Sequence, residues 1–587
     1  MSENMNGGGN TLAETEYDVV VVGAGASGLT AAMTAARGGA SVIVLEVAEG
    51  IGGTTAKSSG GFWIPRNRLQ LERAQTDDHF VDDRDGCLAH MARMAYPEKY
   101  DRGAERHGLD QHEWDHIVHY YDNAAEVIGD LESTDDITIM WLGSFRGDDL
   151  GLPSWFETEE DGNTYGRLLC VTAFDKDRGS AGFSLSAKRT GGSDEAMQSL
   201  GATFGDGVDL TLRLAASLRK YGGDVVCEHR VTDLVFDDEG GVTGVVADSP
   251  SGSVTVTARK AVIFGSGGLE HDKELREKYL RGPIVGSCGV ETNRGDLVRI
   301  AERHDLSLGN MREAWWATLP LEPCLASTEQ GELMNQLYGD ATVGVSFEGK
   351  RVSNEKESYN ERGKIHSYQA PDGSYPYRLL VQVLHGSVID DPSEWPARWP
   401  VPVAPEIPEY VVKGDTLEEL ADALRARLDG LADQTDGFQL SDDFVPNLKA
   451  TIERFNGFAE TGVDEDFGRG NTWPQQYFSV QFRGEDEKPN FTMYPIADTG
   501  PYYALVYGAS CLGSKGGPKI TLDGQILRND RTPVPGLFGA GNCIASPTGA
   551  AYWGGGSTLG PAIFNGYCAG RAAIGDPLTA ASSYVSA

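Results

Sequence analysis

The sequence predicts an α/β protein in which a Rossmann-like nucleotide-binding domain carries an inserted α+β substrate domain. Three observations support this prediction. A strand–turn–helix–strand unit stands near the N-terminus, glycine-dense sequence returns near the C-terminus, and the aromatic-rich stretch between them has a different composition. The length of 587 residues also exceeds what one hydrophobic core usually supports, so two or more domains are expected.

Changes in composition set the expected domain boundaries. The inserted region is marked by tryptophan clusters, by a proline-rich stretch at 399–408, and by amphipathic helical patterns at 417–431 and 443–460. The expected units are a flexible leader at 1–16, a nucleotide-binding domain formed by 17–275 and 495–587, and a substrate (catalytic) domain at 276–494.

The first strand of the nucleotide-binding domain is expected at residues 17–22. A continuous β-branched run of this kind is typical of a strand buried on both faces of a parallel sheet. A helix at 29–37 ends at Gly38-Gly39, and the second strand follows at 41–45. The remaining elements predicted for this domain are strands at 225–228, 231–236, 242–247 and 261–264 and helices at 210–221 and 561–573.

The charge balance excludes one class of partner. Fifty basic residues against 87 acidic residues give a net charge of −37, which repels phosphate backbones and anionic lipid headgroups. Neither nucleic acid nor an acidic membrane is therefore an expected partner. Such a charge is also typical of a well-solvated surface, so it indicates no specific function.

The cysteines and the N-terminal residues bear on metal binding and location. The eight cysteines are scattered, with no C-x-x-C pair and no zinc-like histidine spacing, so we expect reduced thiols and no metal site. The N-terminal residues lack the basic and apolar regions of a signal peptide, and the apolar stretch at 19–36 is broken by glycines. These features predict a cytoplasmic protein without a membrane span.

A glycine-rich turn between the first strand and its helix predicts a dinucleotide site. The turn is Gly23-Ala24-Gly25-Ala26-Ser27-Gly28, and Glu46 ends the second strand eighteen residues after it. Gly25 lets a pyrophosphate approach backbone N–H groups at the helix N-terminus. Glu46 is placed to accept hydrogen bonds from both ribose hydroxyls. Because strand, turn, helix, strand and acid occur in register, a plain glycine turn is a much weaker explanation.

The acid and the residues after it decide between the dinucleotides. An acid at this position disfavours the 2′-phosphate of NADP, which leaves FAD and NAD. Small and hydroxyl-bearing residues suited to a second phosphate and to the ribityl chain of a flavin follow directly: Gly52-Gly53-Thr54-Thr55 and Ser58-Ser59-Gly60-Gly61. This combination resembles FAD-binding flavoproteins rather than nicotinamide dehydrogenases.

Two distant glycine-rich segments resemble other parts of the same flavoprotein superfamily. They span residues 261–268 and 535–542, and we expect both to converge on one FAD. No His or Cys occupies a recognised flavin-linking motif, so the FAD is expected to be bound non-covalently. The resemblance implies further cofactor contacts from Val231, Gly265, Gly267, Gly541, Asn542, Thr558 and Leu559.

Six further segments extend the likeness to nearly the whole chain. They are residues 52–65 (GGTTAKSSGGFWIP), 314–316 (AWW), 354–355 (NE) with Tyr359, 466–470 (DFGRG), 500–504 (GPYYA) and 552–562 (YWGGGSTLGPA). Together they resemble the 3-ketosteroid Δ1-dehydrogenase family, a branch of the fumarate-reductase-like FAD-dependent oxidoreductases.

The resemblance implies a dehydrogenase that desaturates the carbon–carbon bond next to a ring ketone. In the family, a tyrosine and a backbone amide four residues later bind the ketone, and the matching residues here are Tyr552 and Gly556. A second tyrosine, matched by Tyr359, takes the α-proton while flavin N5 accepts hydride. A tyrosine that acts as a base needs a neighbour that lowers its pKa from about 10. The implied substrate is an apolar ketone, steroidal or alicyclic, and the electron acceptor is unidentified.

One element of the family pattern is missing. The family has another tyrosine in an N-terminal loop beside the proton acceptor, but residues 142–156 contain none. Phe145 and Trp155 are candidates for an apolar pocket wall, and Arg146 for an anion contact or for lowering the pKa of the catalytic tyrosine. The departure weakens the expectation of a steroid and keeps a smaller alicyclic ketone open.

Two other classes of protein stay open. An enoate reductase of the fumarate or urocanate type shares the FAD domain, but it has a His-Gly-x-Asn-Arg-type segment where this chain has Thr548-Gly-Ala-Ala-Tyr552. That substitution favours the ketone dehydrogenase. The other class is a flavoprotein that binds a ligand without turnover or passes electrons to a partner. The clustered tryptophans Trp315 and Trp316, with Trp473, are interpreted as core or pocket wall rather than as chemical groups.

Overall fold

The computed structural model describes residues 12, 14–142, 160–161, 164–174, 205–327, 329, 341–390, 407–480 and 490–578. Its strands, numbered in chain order, are β1 (Glu16–Val22), β2 (Val42–Leu45), β3 (Phe62–Trp63), β4 (Ile139–Trp141), β5 (Leu168–Val171), β6 (Asp224–Val226), β7 (Arg230–Phe236), β8 (Val242–Ser249), β9 (Gly252–Phe264), β10 (Gly286–Ser287), β11 (Leu308–Gly309), β12 (Ala314–Pro320), β13 (Thr342–Val345), β14 (Leu379–His385), β15 (Val412–Gly414), β16 (Tyr502–Ser514), β17 (Gly517–Pro518), β18 (Gln525–Leu527) and β19 (Pro533–Gly539). Its helices are α1 (Ala26–Arg37), α2 (Gly53–Lys57), α3 (Arg68–Arg73), α4 (Arg84–Ala95), α5 (Gln111–Ser133), α6 (Gly207–Lys220), α7 (Lys273–Tyr279), α8 (Asp296–Arg303), α9 (Leu321–Ala326), α10 (Tyr359–Gly363), α11 (Gly386–Asp390), α12 (Leu417–Asp429), α13 (Phe444–Thr461), α14 (Trp473–Val480) and α15 (Leu559–Ala573).

The larger sheet is the predicted Rossmann-like sheet, and the fold class is confirmed. Its strand order is β18-β19-β9-β1-β2-β6. The neighbours from β19 to β6 are all parallel, whereas β8 pairs antiparallel with β9, and β7 with β8. Because β1 stands between β2 and the much later β9, its carboxyl end is a topological switch point, where α/β sheets bind their ligands.

Helices and strands cover both faces of this sheet, as its β-branched strands predict. One face belongs to a core that includes Leu29 of α1, Tyr120 of α5 and Phe564 of α15. The other face belongs to a core that includes Leu297 and Ile300 of α8. The end of β1 is therefore held between two packed layers, which makes it a rigid platform for a bound nucleotide.

The strand β9 is longer than the sequence predicts. Only residues 261–264 are expected as a strand, but β9 runs from Gly252 to Phe264. Its first part is mostly exposed, with interspersed buried positions, and pairs with β8, whereas its last four residues are fully buried. A half-exposed antiparallel strand has a weaker apolar signal than a buried parallel one, so only the buried end is recognisable.

The second sheet is built around β16. Its order is β10-β16-β14-β13, and β12 and β15 also pair with β16. This sheet packs against α12 and α13 in a core that includes Leu420, Leu424 and Phe455. Because β16 begins at Tyr502, the sheet continues past the boundary predicted at residue 495. The last residue of β16, Ser514, donates its backbone N–H to Glu270 beside the end of β9, at 3.1 Å.

The described part of the chain contains neither a membrane-spanning helix nor a metal-binding cluster. Within it, no helix combines the length and the apolar character needed to cross a bilayer. The same residues include no group of three or more His, Cys, Asp or Glu side chains able to hold a metal ion. The loop residues Phe145, Arg146 and Trp155, together with the other residues at 143–156, lie outside the described residues.

Candidate active site

The glycine-rich turn packs directly on the end of β9. Gly23 has φ +98°, a conformation that residues with a Cβ rarely adopt. A Cβ on Gly23 would also stand 2.6 Å from the carbonyl oxygen of Gly265. Gly23 and Gly265, both expected near the cofactor, are therefore brought together by the parallel pairing of β1 with β9.

The N-terminus of α1 is open to a ligand. Gly25 is the N-cap of this helix and has no side chain to cap it. The backbone N–H of Ala26 donates to Oγ1 of Thr55 at 3.1 Å, and the nearest atom to a Cβ placed on Gly25 is the same Oγ1, at 3.6 Å. A helix N-terminus without a side-chain cap, where a glycine allows close approach to the backbone, fits a pyrophosphate.

Glu46 lies where a ribose acceptor is needed. Its side chain is buried, and its two oxygens accept backbone N–H groups from Ala24 at 2.7 Å and from Ala48 at 2.9 Å. Burial raises the pKa of Glu46, and these backbone hydrogen bonds partly offset the shift. The carboxylate is thus held in one orientation and keeps lone pairs for ribose hydroxyls. Turn, helix end and acid together fit a dinucleotide.

Replacing Glu46 is expected to weaken FAD binding in proportion to the acceptors removed. Glu46→Ala removes both oxygens, whereas Glu46→Gln keeps one, and each charge-assisted bond is typically worth about 1.5–3 kcal/mol. Glu46→Ala should therefore raise the FAD dissociation constant more than Glu46→Gln, as measured by fluorescence titration of the apoprotein. Equal losses in the two variants would argue against recognition of the ribose by this side chain.

Thr54 is held by two residues that the sequence did not single out. Its Oγ1 accepts hydrogen bonds from the backbone N–H of Val290 at 3.2 Å and from Nδ2 of Asn293 at 3.1 Å. The same Nδ2 donates to Glu270, a fully buried acid, at 2.6 Å. In the sequence, the only sign of the Asn293–Glu270 contact is that Glu270 stands two residues after the glycine turn Gly267-Gly268.

The other predicted cofactor residues lie on several different elements. A Cβ on Gly541 would stand 2.4 Å from Oγ of Ser27, so these two segments meet. Ser59 is exposed. Val231 lies in β7, two residues after His229, whose N–H donates to the carbonyl oxygen of Glu46 at 2.8 Å. The remaining predicted residues are all buried or half-buried. They are Gly28, Gly53, Gly60, Gly61, Gly267, Asn542, Thr558 and Leu559.

Two predicted catalytic tyrosines meet in a small apolar cluster. The rings of Tyr359 and Tyr552 are 5.1 Å apart with an interplanar angle of 66°. Trp315 packs edge-on against Tyr552 at 5.6 Å and donates Nε1–H to Oδ1 of Asn542 at 3.0 Å. Met94 and other apolar side chains complete the wall. Residues far apart in the sequence therefore form one site.

The hydroxyl of Tyr552 and the amide of Gly556 lie close together. The backbone N–H of Gly556 donates to the Tyr552 hydroxyl oxygen at 3.4 Å. Burial raises the pKa of Tyr552, although interactions with Tyr359, with the Gly556 amide and with Thr558 partly counteract it. The phenol therefore stays protonated near neutral pH and acts as a hydrogen-bond donor.

Glycine is required at position 556. Its φ is +87°, and a Cβ would stand 2.6 Å from backbone atoms of Phe62 in β3. The backbone of β3 therefore passes directly against the turn, and the backbone N–H of Trp63 donates to the carbonyl oxygen of Gly556 at 3.1 Å. This contact anchors the backbone at Gly556.

Asn360 ties the Tyr359 helix to the rest of the site. Tyr359 is the first residue of α10. The next side chain, Asn360, accepts the backbone N–H of Trp316 at 3.0 Å and donates to the carbonyl oxygen of Ala550 at 3.3 Å. Tyr359 is thus fixed relative both to β12 and to the loop that carries Tyr552.

A buried ion cluster includes one residue from each of two family-like segments, 354–355 and 466–470. Arg351 pairs with Glu355 at 2.7 Å and with Asp464 at 2.9 Å, and Arg469 lies 3.4 Å from the same glutamate. Burial alone raises the pKa of Glu355, but the two arginines hold it below its ordinary value. Glu355 accepts the backbone N–H of Gly344 and Arg469 donates to the carbonyl oxygen of Thr342, so the cluster supports β13 of the second sheet.

The chain is similar to known flavoproteins in sequence and in fold. A family model described as FAD binding domain matches residues 18–559. The chain is 32% identical to 4-oxocyclohexanecarboxylate 2-dehydrogenase from Sinomonas cyclohexanicum, over 95% of this chain and 93% of that protein. It is 30% identical to 3-oxosteroid 1-dehydrogenase from Mycolicibacterium smegmatis, over 97% of this chain and 98% of that protein. A solved 3-ketosteroid Δ1-dehydrogenase from Sterolibacterium denitrificans, in complex with 1,4-androstadiene-3,17-dione, matches with a TM-score of 0.74 and 24% identity, over 96% of this chain and 100% of that chain.

The switch-point turn, the helix end and the buried acid fit a dinucleotide, and the matching family model shows that the protein is an FAD-binding flavoprotein. The chain belongs to the FAD binding domain family, in the branch that contains the 3-ketosteroid Δ1-dehydrogenases. The predicted family and the predicted FAD cofactor are both confirmed. The solved structure shares the fold.

Non-covalent attachment of FAD stays a prediction. All eight cysteines are buried, and none of them forms a disulfide. Acid precipitation is expected to release the yellow colour into the supernatant, with a covalent flavoprotein treated alongside as the control that keeps its colour. Flavin retained in the washed pellet of this protein would contradict the prediction.

Proposed function

We propose that this chain is an FAD-dependent dehydrogenase that converts the carbon–carbon single bond next to a ring ketone into a double bond. One observation carries the proposal. The Tyr552 hydroxyl and the Gly556 amide lie 3.4 Å apart, with the ring of Tyr359 alongside. A ketone oxygen that takes the place of their mutual contact accepts a hydrogen bond from each donor.

The donor pair stabilises charge that develops on the ketone oxygen. Removal of a proton from the α-carbon builds negative charge on that oxygen, and preorganised donors in a water-excluded site stabilise this charge most strongly in the transition state. Because burial raises the pKa of Tyr552, its hydroxyl keeps the proton that it must donate. The Gly556 amide cannot titrate and donates at every pH.

Tyr359 is the residue proposed to take the α-proton. Its ring lies 5.1 Å from that of Tyr552, so a carbon next to the bound ketone lies beside it. The substrate loses this proton to Tyr359 and loses a hydride, with two electrons, from the β-carbon. Bound FAD supplies the acceptor for that hydride at N5. The organic product is the α,β-unsaturated ketone.

The wall around the tyrosines suits an apolar ring. Trp315, Ala317, Met94 and Leu512 pack in this cluster. Relatives named for an oxosteroid and for an oxocyclohexanecarboxylate both act, by those names, on ring ketones. A ring ketone is therefore the proposed substrate class, and a steroid and a smaller alicyclic ketone are the two arms of the test.

An anaerobic ketone screen tests the proposal. Androstenedione, a 5α-reduced steroid, cyclohexanone and 4-oxocyclohexanecarboxylate are mixed separately with oxidised holoenzyme, and flavin bleaching is recorded. At least one ketone should bleach the flavin and be recovered as the product that has lost two hydrogens. The corresponding ring alcohol, which lacks the ketone, is the control and should leave the flavin oxidised. A flavin that no ring ketone reduces would contradict the proposal.

The enoate reductase alternative predicts a different result. Chemically reduced enzyme would then be reoxidised rapidly by fumarate or urocanate. We expect neither compound to reoxidise it, because residues 548–552 contain no arginine or histidine to bind a carboxylate or supply a proton. A flavoprotein that binds without turnover would show neither reaction: no ketone would reduce its flavin, and neither fumarate nor urocanate would rapidly reoxidise it.

A further inference from the structure

Lys515 is a buried lysine next to the two tyrosines. It directly follows β16, and it is 0% exposed. Burial lowers its pKa well below the ordinary value, and the charge of Glu313 only partly offsets this shift. Among the described residues, no carboxylate oxygen lies within 4.0 Å of Lys515 Nζ, so the lysine has no ion-pair partner there. Lysine is rarely buried without such a partner, so its contacts call for an explanation.

The amino group of Lys515 makes two hydrogen bonds and one contact with an aromatic face. Nζ donates to the carbonyl oxygen of Gly549 at 3.2 Å and to that of Ala551. It also stands over the face of Trp315, 3.9 Å from the ring centroid. A lysine ammonium has three donors and no acceptor, and an aromatic face attracts a cation. The two carbonyl oxygens and the ring face therefore hold the Lys515 amino group in one place.

These acceptors surround Tyr552. Ala551 precedes it in the chain, so the hydrogen bond to the Ala551 carbonyl orients the peptide group from which Tyr552 extends. Trp315 packs edge-on against the Tyr552 ring, with an interplanar angle of 86°. Lys515 therefore supports both the backbone and the ring wall of the proposed ketone-binding residue.

Other contacts hold the flanks of the same loop. The backbone N–H of Ala550 donates to the carbonyl oxygen of Ala95 at 2.8 Å. His90 Nε2 lies 3.1 Å from the carbonyl oxygen of Trp553. Ala95 and His90 both belong to α4, so this helix holds the loop on either side of Ala551. Lys515 supplies the hydrogen bond at Ala551 between these two anchor points.

We propose that Lys515 is a positioning residue for the ketone-binding pair: it fixes Tyr552 so that its hydroxyl and the Gly556 amide point to one place. This role rests on the proposed function. A methionine would occupy a similar volume without burying a charge, so volume alone does not account for a lysine. Misplacement of a catalytic group by about 1 Å can cost about 100-fold in rate.

The first test compares Lys515→Met with Lys519→Met in stopped-flow reduction of the flavin by the best ketone from the screen. We expect Lys515→Met to lower the limiting rate about 10- to 100-fold, with FAD content unchanged. Lys519 is a matched control, because it is half-buried four residues further on and its side chain has no hydrogen bond or ion pair among the described residues. Its variant should keep the wild-type rate. A Lys515→Met enzyme at the wild-type rate would overturn the proposal.

A double-mutant cycle separates positioning from general support of the fold. If Lys515 acts through Tyr552, then adding Lys515→Met to Tyr552→Phe should cost less than about threefold further in rate, since the hydroxyl it positions is already absent. The same 10- to 100-fold loss in both backgrounds would show a structural role instead.

A second variant keeps the test decisive where Lys515→Met fails to fold. Lys515→Gln retains N–H donors on a shorter side chain without the charge. Its rate should lie between those of wild type and Lys515→Met. If Lys515→Met does not fold, the rate of Lys515→Gln should still be well below that of wild type. A Gln variant at the wild-type rate would overturn the proposal. A wild-type flavin that no ketone reduces would instead contradict the proposed function itself, and the role of Lys515 would fall with it.

Discussion

The Tyr552→Phe enzyme is expected to reduce its flavin about 10²–10³ times more slowly than wild type, the loss typical of one missing oxyanion-stabilising donor. Phenylalanine keeps the ring that packs against Trp315 and Tyr359, but it removes the hydroxyl aimed at the ketone oxygen. The Gly556 amide alone then faces the developing charge. Because that charge is largest in the transition state, the limiting rate should fall more than the affinity.

Stopped-flow bleaching of the flavin with the best ketone measures this effect. Tyr502→Phe is the matched control, because Tyr502 is also a buried tyrosine whose hydroxyl donates a hydrogen bond, in this case to the carbonyl oxygen of Ala497 at 2.8 Å. It lies in the core of the second sheet, so its variant should keep the wild-type rate. Equal rates for Tyr552→Phe and wild type would return Tyr552 to the role of a packed aromatic.

The Tyr359→Phe enzyme is expected to be slower by about 10²–10⁴, the usual contribution of a general base. Here the missing group is the proposed proton acceptor, while both of the proposed donors to the ketone oxygen remain. The affinity for the unsaturated ketone product should therefore stay within about threefold of wild type, because product binding uses the donor pair. Tyr552→Phe, in contrast, should weaken product binding as well.

Deuterium exchange gives an independent measure of the Tyr359 role. Incubating the ketone with enzyme in D₂O and following deuterium at the α-carbon reports proton removal directly. We expect exchange catalysed by the wild type and lost in Tyr359→Phe. The same slowing of flavin reduction with undiminished exchange would assign Tyr359 to a step other than proton removal.

The nucleotide-binding half was predictable because its signals are local. A β-branched strand buried on both faces reads as a continuous apolar run, and β1 is found where the sequence predicts it, with one residue added at its start. Glu46 follows at the end of β2, as the motif requires. The half-exposed part of β9 was missed, because pairing with β8 rather than burial makes it a strand.

The second sheet was less predictable for a physical reason. Its central strand β16 pairs with β10, β12, β14 and β15, which come from distant parts of the chain. Sequence periodicity reports whether a strand is buried, but not which strands it joins. The sequence therefore indicated a separate α+β region. Its boundary near residue 495 stays a prediction, and the second sheet includes β16, which lies beyond that residue.

By itself, the sequence determined the Rossmann-like fold and a dinucleotide site, because glycine spacing and buried strands are short-range properties. The choice of FAD and the family came from the resemblance of particular segments to known flavoproteins. The same resemblance also named Tyr359, Tyr552 and Gly556. Only the tertiary structure brought these residues together with Trp315, and only it revealed Lys515 behind them. A lone lysine in a glycine-rich stretch has no periodic signal. Its burial and its carbonyl partners come from chain segments that meet only when both sheets have folded.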